Sequence, residues 1–299
     1  MKKRISFIVN PISGTRKKDA LPEIIRRHID GARFEIEIFF TERSGHAFEL
    51  AQQQMKDGVP YIVAVGGDGT VNEVAAALRD SPSAMGIVPC GSGNGLARHL
   101  HIPLNLQKAL KALNVAGVKE MDYGLANGRP FFCTLGTGFD ARVSDVFAHT
   151  RKRGLRKYIA IIAREFIAYR AREYALNIDG TALAVKAMVV TVANSSQYGN
   201  NACISPLADI SDGKLDVCIV RPFPKILAAG LAFRLIGKSI HKSRFYSSYR
   251  GKEIVIVRQK DDTVHLDGDP FTMEKELKIS VAPRGLKVLT PLAPLPAFG

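Results

Sequence analysis

Tyr61-Ile62-Val63-Ala64-Val65-Gly66-Gly67-Asp68-Gly69-Thr70 is the stretch on which the fold turns. Its first five residues are apolar and rich in β-branched types, the composition of a buried strand. Gly66, Gly67 and Gly69 follow at once. Glycine takes positive φ and carries no side chain, so backbone N–H groups there can close on an anion. Thr70 and Glu73 have the spacing of a capping box, which predicts a helix over 70–78 with Thr70 at its N-cap. A helix start that faces a glycine loop favours phosphate through its dipole and its unpaired amides. Asp68 is the odd member, because a carboxylate beside phosphates needs a metal ion or a lysine between them. The stretch reads as a nucleotide phosphate site with a metal-linked acid. A plain strand-to-helix turn that requires glycine is the competing reading.

Around this stretch strands and helices alternate. Strands are predicted at 5–9, 34–40, 61–65 and 86–88, and helices at 19–29, 44–56, 70–78, 94–100 and 105–113. Such alternation implies a parallel sheet covered on both faces, here a doubly wound, Rossmann-like α/β domain over residues 1–122. The glycine loops at Gly66 and Gly91 both follow strands. That puts them at the carboxyl edge of the sheet, where open α/β sheets bind ligands. After Met121-Asp122-Tyr123 the texture changes. Short strand-like runs at 131–134, 188–193, 215–220, 254–257 and 277–281 are separated by Gly, Asn, Asp and Pro turns, with one long helix over 155–174. Residues 123–299 read as a β-rich domain with an irregular tail over 291–296. Two domains also suit 299 residues, since single cores seldom grow beyond about 250–300.

Hydrophobic content of 46% and charged content of 23% place the chain among soluble globular proteins rather than disordered or membrane-spanning ones. No apolar run approaches the roughly 20 residues needed to span a bilayer. Met1-Lys2-Lys3-Arg4 is followed by only a short apolar run before Asn10-Pro11, so no signal peptide is expected. Cys90, Cys133, Cys203 and Cys218 are scattered without a C-x-x-C pair, which points to no zinc or disulfide framework and fits a reducing cytoplasm. Cys90 reads as a buried structural thiol. His46 and His265 have no second histidine at ligand spacing and read as structural or surface residues.

The net charge of +14 is concentrated. Residues 151–172 carry eight basic side chains against the single acid Glu165, and residues 221–252 carry eight against none. Such stretches attract nucleic acid or anionic lipid, but they contain no recognised nucleic-acid motif, and no nucleic-acid partner is expected. Within 223–242, Ile226, Leu227, Gly230, Leu231, Ile236 and Ile240 alternate with Lys225, Arg234, Lys238 and Lys242. This pattern suits a cationic helix lying on a membrane, and equally a helix packed on its own domain with a solvated basic face.

Gly66-Gly67-Asp68-Gly69-Thr70-Val71-Asn72-Glu73 resembles the signature of the diacylglycerol kinase catalytic-domain family, which includes bacterial lipid kinases and sphingoid-base kinases. Further stretches match in order: Asn10-Pro11-Ile12-Ser13-Gly14, Thr41 with Gly45-His46-Ala47, Pro89-Cys90-Gly91-Ser92-Gly93-Asn94, Asp212-Gly213-Lys214-Leu215-Asp216, and Leu266-Asp267-Gly268-Asp269. Two positions depart from the family pattern. Gly95 stands where many bacterial diacylglycerol kinases have aspartate, and Asp269 where the family has glutamate.

The resemblance implies a sandwich-like second domain. It implies ATP contacts by Asn10, Thr41, Gly66, Gly67, Gly69, Thr70, Asn72, Glu73 and Ser92. It implies a magnesium ion held by Asp209, Asp212 and the carbonyl of Lys214, linked through waters towards Asp68. Asp269 is the candidate general base, with Asp267 close behind; a hairpin turn is the competing reading of Asp267-Gly268. The expectation is an ATP- and Mg-dependent lipid kinase acting on the hydroxyl of diacylglycerol or a sphingoid base. Its partners would be a lipid substrate and anionic headgroups, and its place the cytoplasm, peripherally at a membrane. Self-association as a homodimer stays open. The rivals are an enzyme similar to NAD kinase, which shares Gly-Gly-Asp-Gly-Thr but keeps its Asn-Glu pair well downstream, and a non-catalytic basic nucleotide- or nucleic-acid-binding protein.

Overall fold

The computed structural model describes residues 2–14, 20–150 and 155–291, without the side chains of 155–160. The expected helix start at Asp19, the basic run Arg151–Lys157 as a set of side chains, and the tail after Pro291 lie outside the described residues. Contacts divide the chain into two units, one made of residues up to Met121 and those from Arg284 on, the other of Asp122–Pro283.

The first unit runs β1 (Lys3–Val9), α1 (Leu21–His28), β2 (Phe34–Phe40), α2 (His46–Lys56), β3 (Tyr61–Gly66), α3 (Asp68–Ala77), β4 (Ala84–Pro89), α4 (Gly95–His99) and α5 (Leu106–Leu113). The strands pair in parallel in the order β2-β1-β3-β4. Consecutive residues Ile62, Val63, Ala64 and Val65 are all fully buried, so both faces of β3 are covered, which is why it reads as an unbroken apolar run. Gly86 is required on β4, since a Cβ there would lie 2.9 Å from a Val63 methyl and 3.1 Å from Leu113.

The second unit follows the strand β5 (Ala116–Ala126), which enters it at Asp122. Its elements are β6 (Arg129–Phe131), β7 (Thr134–Gly138), α6 (Phe139–Ala148), α7 (Leu155–Ala168), β8 (Arg172–Ile178), β9 (Thr181–Ala187), β10 (Val189–Ala193), β11 (Gln197–Gly199), β12 (Ala202–Cys203), β13 (Leu215–Val220), α8 (Ala228–Ile236), β14 (Tyr246–Gly251), β15 (Glu253–Val257), β16 (Asp262–Leu266), β17 (Asp269–Met273) and β18 (Glu276–Pro291). One antiparallel sheet has the order β14-β13-β10-β7-β16-β17. A second layer pairs β9, β8, β15 and the first part of β18. Val190, Val192, Val217 and Val264 of the first sheet share one core with Tyr174, Leu176, Ile254 and Leu277 of the second. This is a β-sandwich.

Several expectations are corrected here. The helix at 155–174 stops at Ala168, and Arg172–Ile178 is a strand whose alternate residues Tyr174, Leu176 and Ile178 enter the core. Period-two burial overrides helix propensity there. The run 131–134 is not one strand, because β6 ends at Phe131 and β7 starts at Thr134. The second domain does not run to the end of the chain: Lys287 and Val288 of β18 pair in parallel with Ala84 and Met85 of β4, returning the last strand to the first unit.

Candidate functional site

In the first unit, loops leaving β1, β3 and β4 meet at the carboxyl edge of the sheet. Cys90 N–H donates to the Gly66 carbonyl at 2.7 Å, and Asn10 N–H to that of Val65 at 3.0 Å. Contact between the loops is possible only with glycine. A Cβ on Gly91 would sit 2.7 Å from the Gly67 Cα, one on Gly93 2.5 Å from Asp68 Oδ2, and one on Gly14 2.4 Å from the Cys90 carbonyl oxygen. Thr41 is buried after β2, its N–H donating to Val9 O at 2.9 Å. Cys90 is half-buried rather than buried.

Asp68 binds across this junction. Its Oδ2 accepts from Asn94 N–H at 2.9 Å and its Oδ1 from Gly95 N–H at 2.8 Å. The carboxylate therefore fastens the second glycine loop to the first. Gly95 contributes a backbone amide where the family pattern has an acid. Asn94, at φ 53, accepts from Gly91 N–H at 3.1 Å and donates to Gly91 O at 2.8 Å, closing the loop on itself.

The capping box does not form. The helix α3 starts at Asp68 with Gly67 as its N-cap, and Thr70 lies inside the first turn. The Thr70 hydroxyl accepts from Asn10 Nδ2 at 3.1 Å. Val71 N–H makes the first intrahelical bond, to Gly67 O, which leaves the earlier amides of the turn as the anion-facing donors of a helix start. Glu73 turns to α2 instead, accepting from Gly45 N–H at 2.8 Å and Ala47 N–H at 3.0 Å. It caps that helix, whose N-cap Gly45 has φ 82 and no side chain to offer. Asn72 is half-buried on α3, and Ser92 is exposed on the second loop.

In the second unit, Asp267 and Gly268 form a two-residue hairpin between β16 and β17, at φ 52 and 96, with Leu266 opposite Asp269. The hairpin reading is correct, but the Asp267 side chain does more. Its carboxylate accepts from the amides of Phe132, Cys133 and Thr134 at 2.8, 2.7 and 2.8 Å. Burial pushes its pKa up to about 6 against the pull of these amides and of His265. Asp269 is exposed at the start of β17.

The acidic turn before β13 is fixed locally. Asp209 Oδ1 accepts from Ser211 N–H and Oγ at 2.9 and 2.7 Å, and Asp212 Oδ1 from Lys214 N–H at 3.0 Å. Asp122, fully buried and read in the sequence only as a boundary marker, accepts from Gly213 N–H at 2.7 Å. Arg250 lies 3.6 Å from Asp212 Oδ2 and donates to Asp216 at 2.9 Å. Among the described residues, no three His, Cys, Asp or Glu side chains cluster as a metal cage. Two carboxylates and a carbonyl on one turn form an all-oxygen donor set, which suits a hard, partly hydrated divalent cation.

A buried network missed by the sequence reading lies behind the hairpin. Asp140 Oδ2 accepts from Thr191 Oγ1 at 3.0 Å, Tyr198 OH at 3.1 Å and His265 Nε2 at 3.2 Å. Gly268 N–H lies 3.4 Å from His265 Nδ1 on the other side of the ring. A Cβ on Gly136 would lie 2.1 Å from Asp140 Oδ2 and 2.2 Å from His265 Nε2, so only glycine leaves room for the pair. No spacing rule joins residues 136, 140 and 265.

A family profile for the diacylglycerol kinase catalytic domain matches residues 4–126, and one for the YegS C-terminal NAD kinase beta sandwich-like domain matches residues 133–290. A diacylglycerol kinase of Mycobacterium tuberculosis is 30% identical over 302 residues, covering 96% of this chain and 95% of its own. One from Staphylococcus aureus is 25% identical over 279 residues, covering 90% and 87%. The crystal structure of a diacylglycerol kinase from Bacillus anthracis matches 98% of both chains with a TM-score of 0.76 at 22% identity, a likeness of fold. Both halves of the chain and its nearly full-length relatives agree: this protein belongs to the diacylglycerol kinase family and is an enzyme of the lipid kinase class.

Proposed function

We propose that this protein transfers the γ-phosphoryl group of ATP to the hydroxyl of diacylglycerol, in a magnesium-dependent reaction. The observation that carries the nucleotide half is the pair of glycine loops fastened by Asp68, with the first-turn amides of α3 beside them. Phosphoryl transfer runs through a loose transition state, so positioning and charge neutralisation supply most of the rate. Gly66, Gly67, Gly69 and Thr70 would present amides to the phosphates, with Asn10, Thr41, Asn72 and Ser92 around the nucleotide. Glu73 acts indirectly, by holding the start of α2.

Asp209, Asp212 and the Lys214 carbonyl would hold the magnesium ion. A magnesium ion bound there would supply positive charge for phosphoryl-transfer chemistry. Asp269 is the better candidate for the base. The Asp267 carboxylate already serves three amides, whereas Asp269 stands exposed at the end of that same hairpin. A late transfer from the acceptor hydroxyl needs no perturbed carboxylate.

The relatives' names support diacylglycerol over a sphingoid base. The NAD kinase likeness of the second profile keeps NAD in the comparison. The deciding experiment offers labelled ATP with diacylglycerol, sphinganine or NAD to the purified protein, with and without magnesium. Label in phosphatidic acid that disappears on chelation is the expected result. Label in NADP, or in no product, removes the reading. Among the described residues no helix is long and apolar enough to cross a membrane.

A further inference from the structure

Residues 221–252 hold eight cations and no acid. The 3₁₀ turn Lys225–Leu227 leads into α8. On one side of this helix Leu231 is buried, with Leu235 packed beside it, on a cluster containing Ile204, Cys218, Val220 and Tyr246. The opposite side is the unusual one. Ile226, Ala229, Gly230, Phe233 and Ile236 follow one another at helical spacing and all are exposed, with Ile226 at 88%, Phe233 at 75% and Ile236 at 58%. No polar residue interrupts the stripe. A surface helix carries polar residues on its outer face, and a helix that is apolar on both faces needs an apolar neighbour on both. The ridge continues on α7: Lys225 Nζ donates to the Ile167 carbonyl, and Ile167 is itself 68% exposed.

The charges select the neighbour. Lys225, Arg234 and Lys238 are all exposed beside the stripe. A second copy packed on this face would bring like charges together, which costs affinity. An anionic bilayer offers the matching order, headgroups for the cations and acyl chains beneath for the ridge. The long lysine and arginine stems can follow the apolar face while their charged ends stay at headgroup level.

We infer that α8 and its leading turn form an interfacial helix that places Ile226, Phe233 and Ile236 into an anionic membrane surface. The inference rests on the lipid-kinase reading for its purpose and on the surface alone for its binding. Vesicle sedimentation of the full chain tests it, with phosphatidylcholine alone and with phosphatidylcholine plus phosphatidylglycerol. The wild type should sediment with the anionic vesicles and lose that binding as salt rises. The variant Ile226→Ser/Phe233→Ser/Ile236→Ser should bind roughly a hundredfold more weakly, as expected for three partly buried apolar side chains. The variant Lys225→Gln/Arg234→Gln/Lys238→Gln should lose about a hundredfold on anionic vesicles only, near fivefold per cation. Both should phosphorylate a dispersed short-chain diacylglycerol as the wild type does, which separates failed docking from a failed kinase assignment. Vesicle binding by the triple serine variant equal to wild type would overturn the inference. So would a wild type that ignores vesicles and instead forms a dimer in ultracentrifugation that this variant abolishes.

Discussion

Replacing Asp68 with alanine tests the junction between the two glycine loops. The carboxylate accepts two amide hydrogen bonds, from Asn94 at 2.9 Å and Gly95 at 2.8 Å. Hydrogen bonds to a charged group contribute about 1.5–3 kcal/mol each, and the higher figure applies where no water can replace the acceptor. Asp68 is half-buried, so water can reach part of the vacated site and the lower figure fits. The two bonds together then amount to about 3 kcal/mol, a sizeable share of a typical stability of about 5–15 kcal/mol. At roughly 2–4 °C per kcal/mol for a large domain, thermal unfolding of the first unit should begin about 6–12 °C lower. Differential scanning calorimetry with and without ATP is the assay. ATP binding should weaken together with stability, because the loops that present the amides come apart. Asp68→Asn keeps one acceptor but turns an amide hydrogen towards the other N–H, so it should fall between alanine and wild type. An alanine variant that melts at the parental temperature and turns over ATP at the parental rate would refute both the fastening role and the placement of the triphosphate.

Asp269→Asn should lower kcat by about 10²–10⁴, the usual contribution of a general base, with the KM for ATP little changed, whereas Asp269→Glu should keep part of the rate; an active asparagine variant in steady-state assays excludes the base. Burial pushes the Asp267 carboxyl up to about 6, above the ordinary aspartate value of about 4, so folding favours its protonated form. Its contribution to stability is complete below about pH 4 and is lost as pH rises through 6, by about 3 kcal/mol in all. Urea denaturation across that window should show the decline in wild type and a flatter profile in Asp267→Asn; identical profiles would refute it. Gly136→Ala forces a methyl into the Asp140–His265 contact and should cost about 1–3 kcal/mol by overpacking, read as a lower urea midpoint. A neutral Gly136→Ala would show that this network is loosely held.

The parallel sheet was legible because its strands are covered on both faces. Ile62 to Val65 must be apolar at every position, and such runs followed by glycine stand out in a single sequence. The sandwich was harder. Strand β8 alternates exposed and buried residues, Arg172-Glu173-Tyr174-Ala175-Leu176, and its basic and alanine content continues the preceding helix without a break. Only the sheet that takes up Tyr174, Leu176 and Ile178 ends the helix at Ala168. The last strand was misassigned for a related reason. A parallel partner in β4, about two hundred residues away in the chain, leaves no local mark, since parallel pairing carries no turn that sequence could reveal. The outer apolar stripe of α8 was half legible. Ile226, Gly230 and Ile236 stand out in the sequence, but they were read together with Leu231 and Ile240, which are buried, and without Ala229 and Phe233; only the burial of Leu231 fixes which face is which.

Three acids read from sequence as chemistry, Asp68, Glu73 and Asp267, act in the fold as clamps on distant backbone, and so do Asp122 and Asp179, to which the sequence assigned no chemistry. Asp68 holds Asn94 and Gly95, Glu73 holds Gly45 and Ala47, Asp122 holds Gly213, and Asp179 holds Lys252 and Glu253. Asp267 holds three consecutive amides of the 132–134 segment. Each clamp satisfies backbone N–H groups of a loop or strand end; where such a group is buried, leaving it unpaired would cost about 1–3 kcal/mol. None is visible in a motif, because a motif records the acid and its neighbours in sequence, not the amide it serves. This divides labour within the Asp267-Gly268-Asp269 hairpin. An acid with three amide donors is anchored and poorly placed to exchange a proton with a lipid hydroxyl, while one two residues further along the same rigid turn inherits its position without sharing those bonds. The two aspartates thus differ in place: Asp267 is the buried-amide anchor of the hairpin, and Asp269, exposed at the start of β17, is where the proposed reaction would put its base.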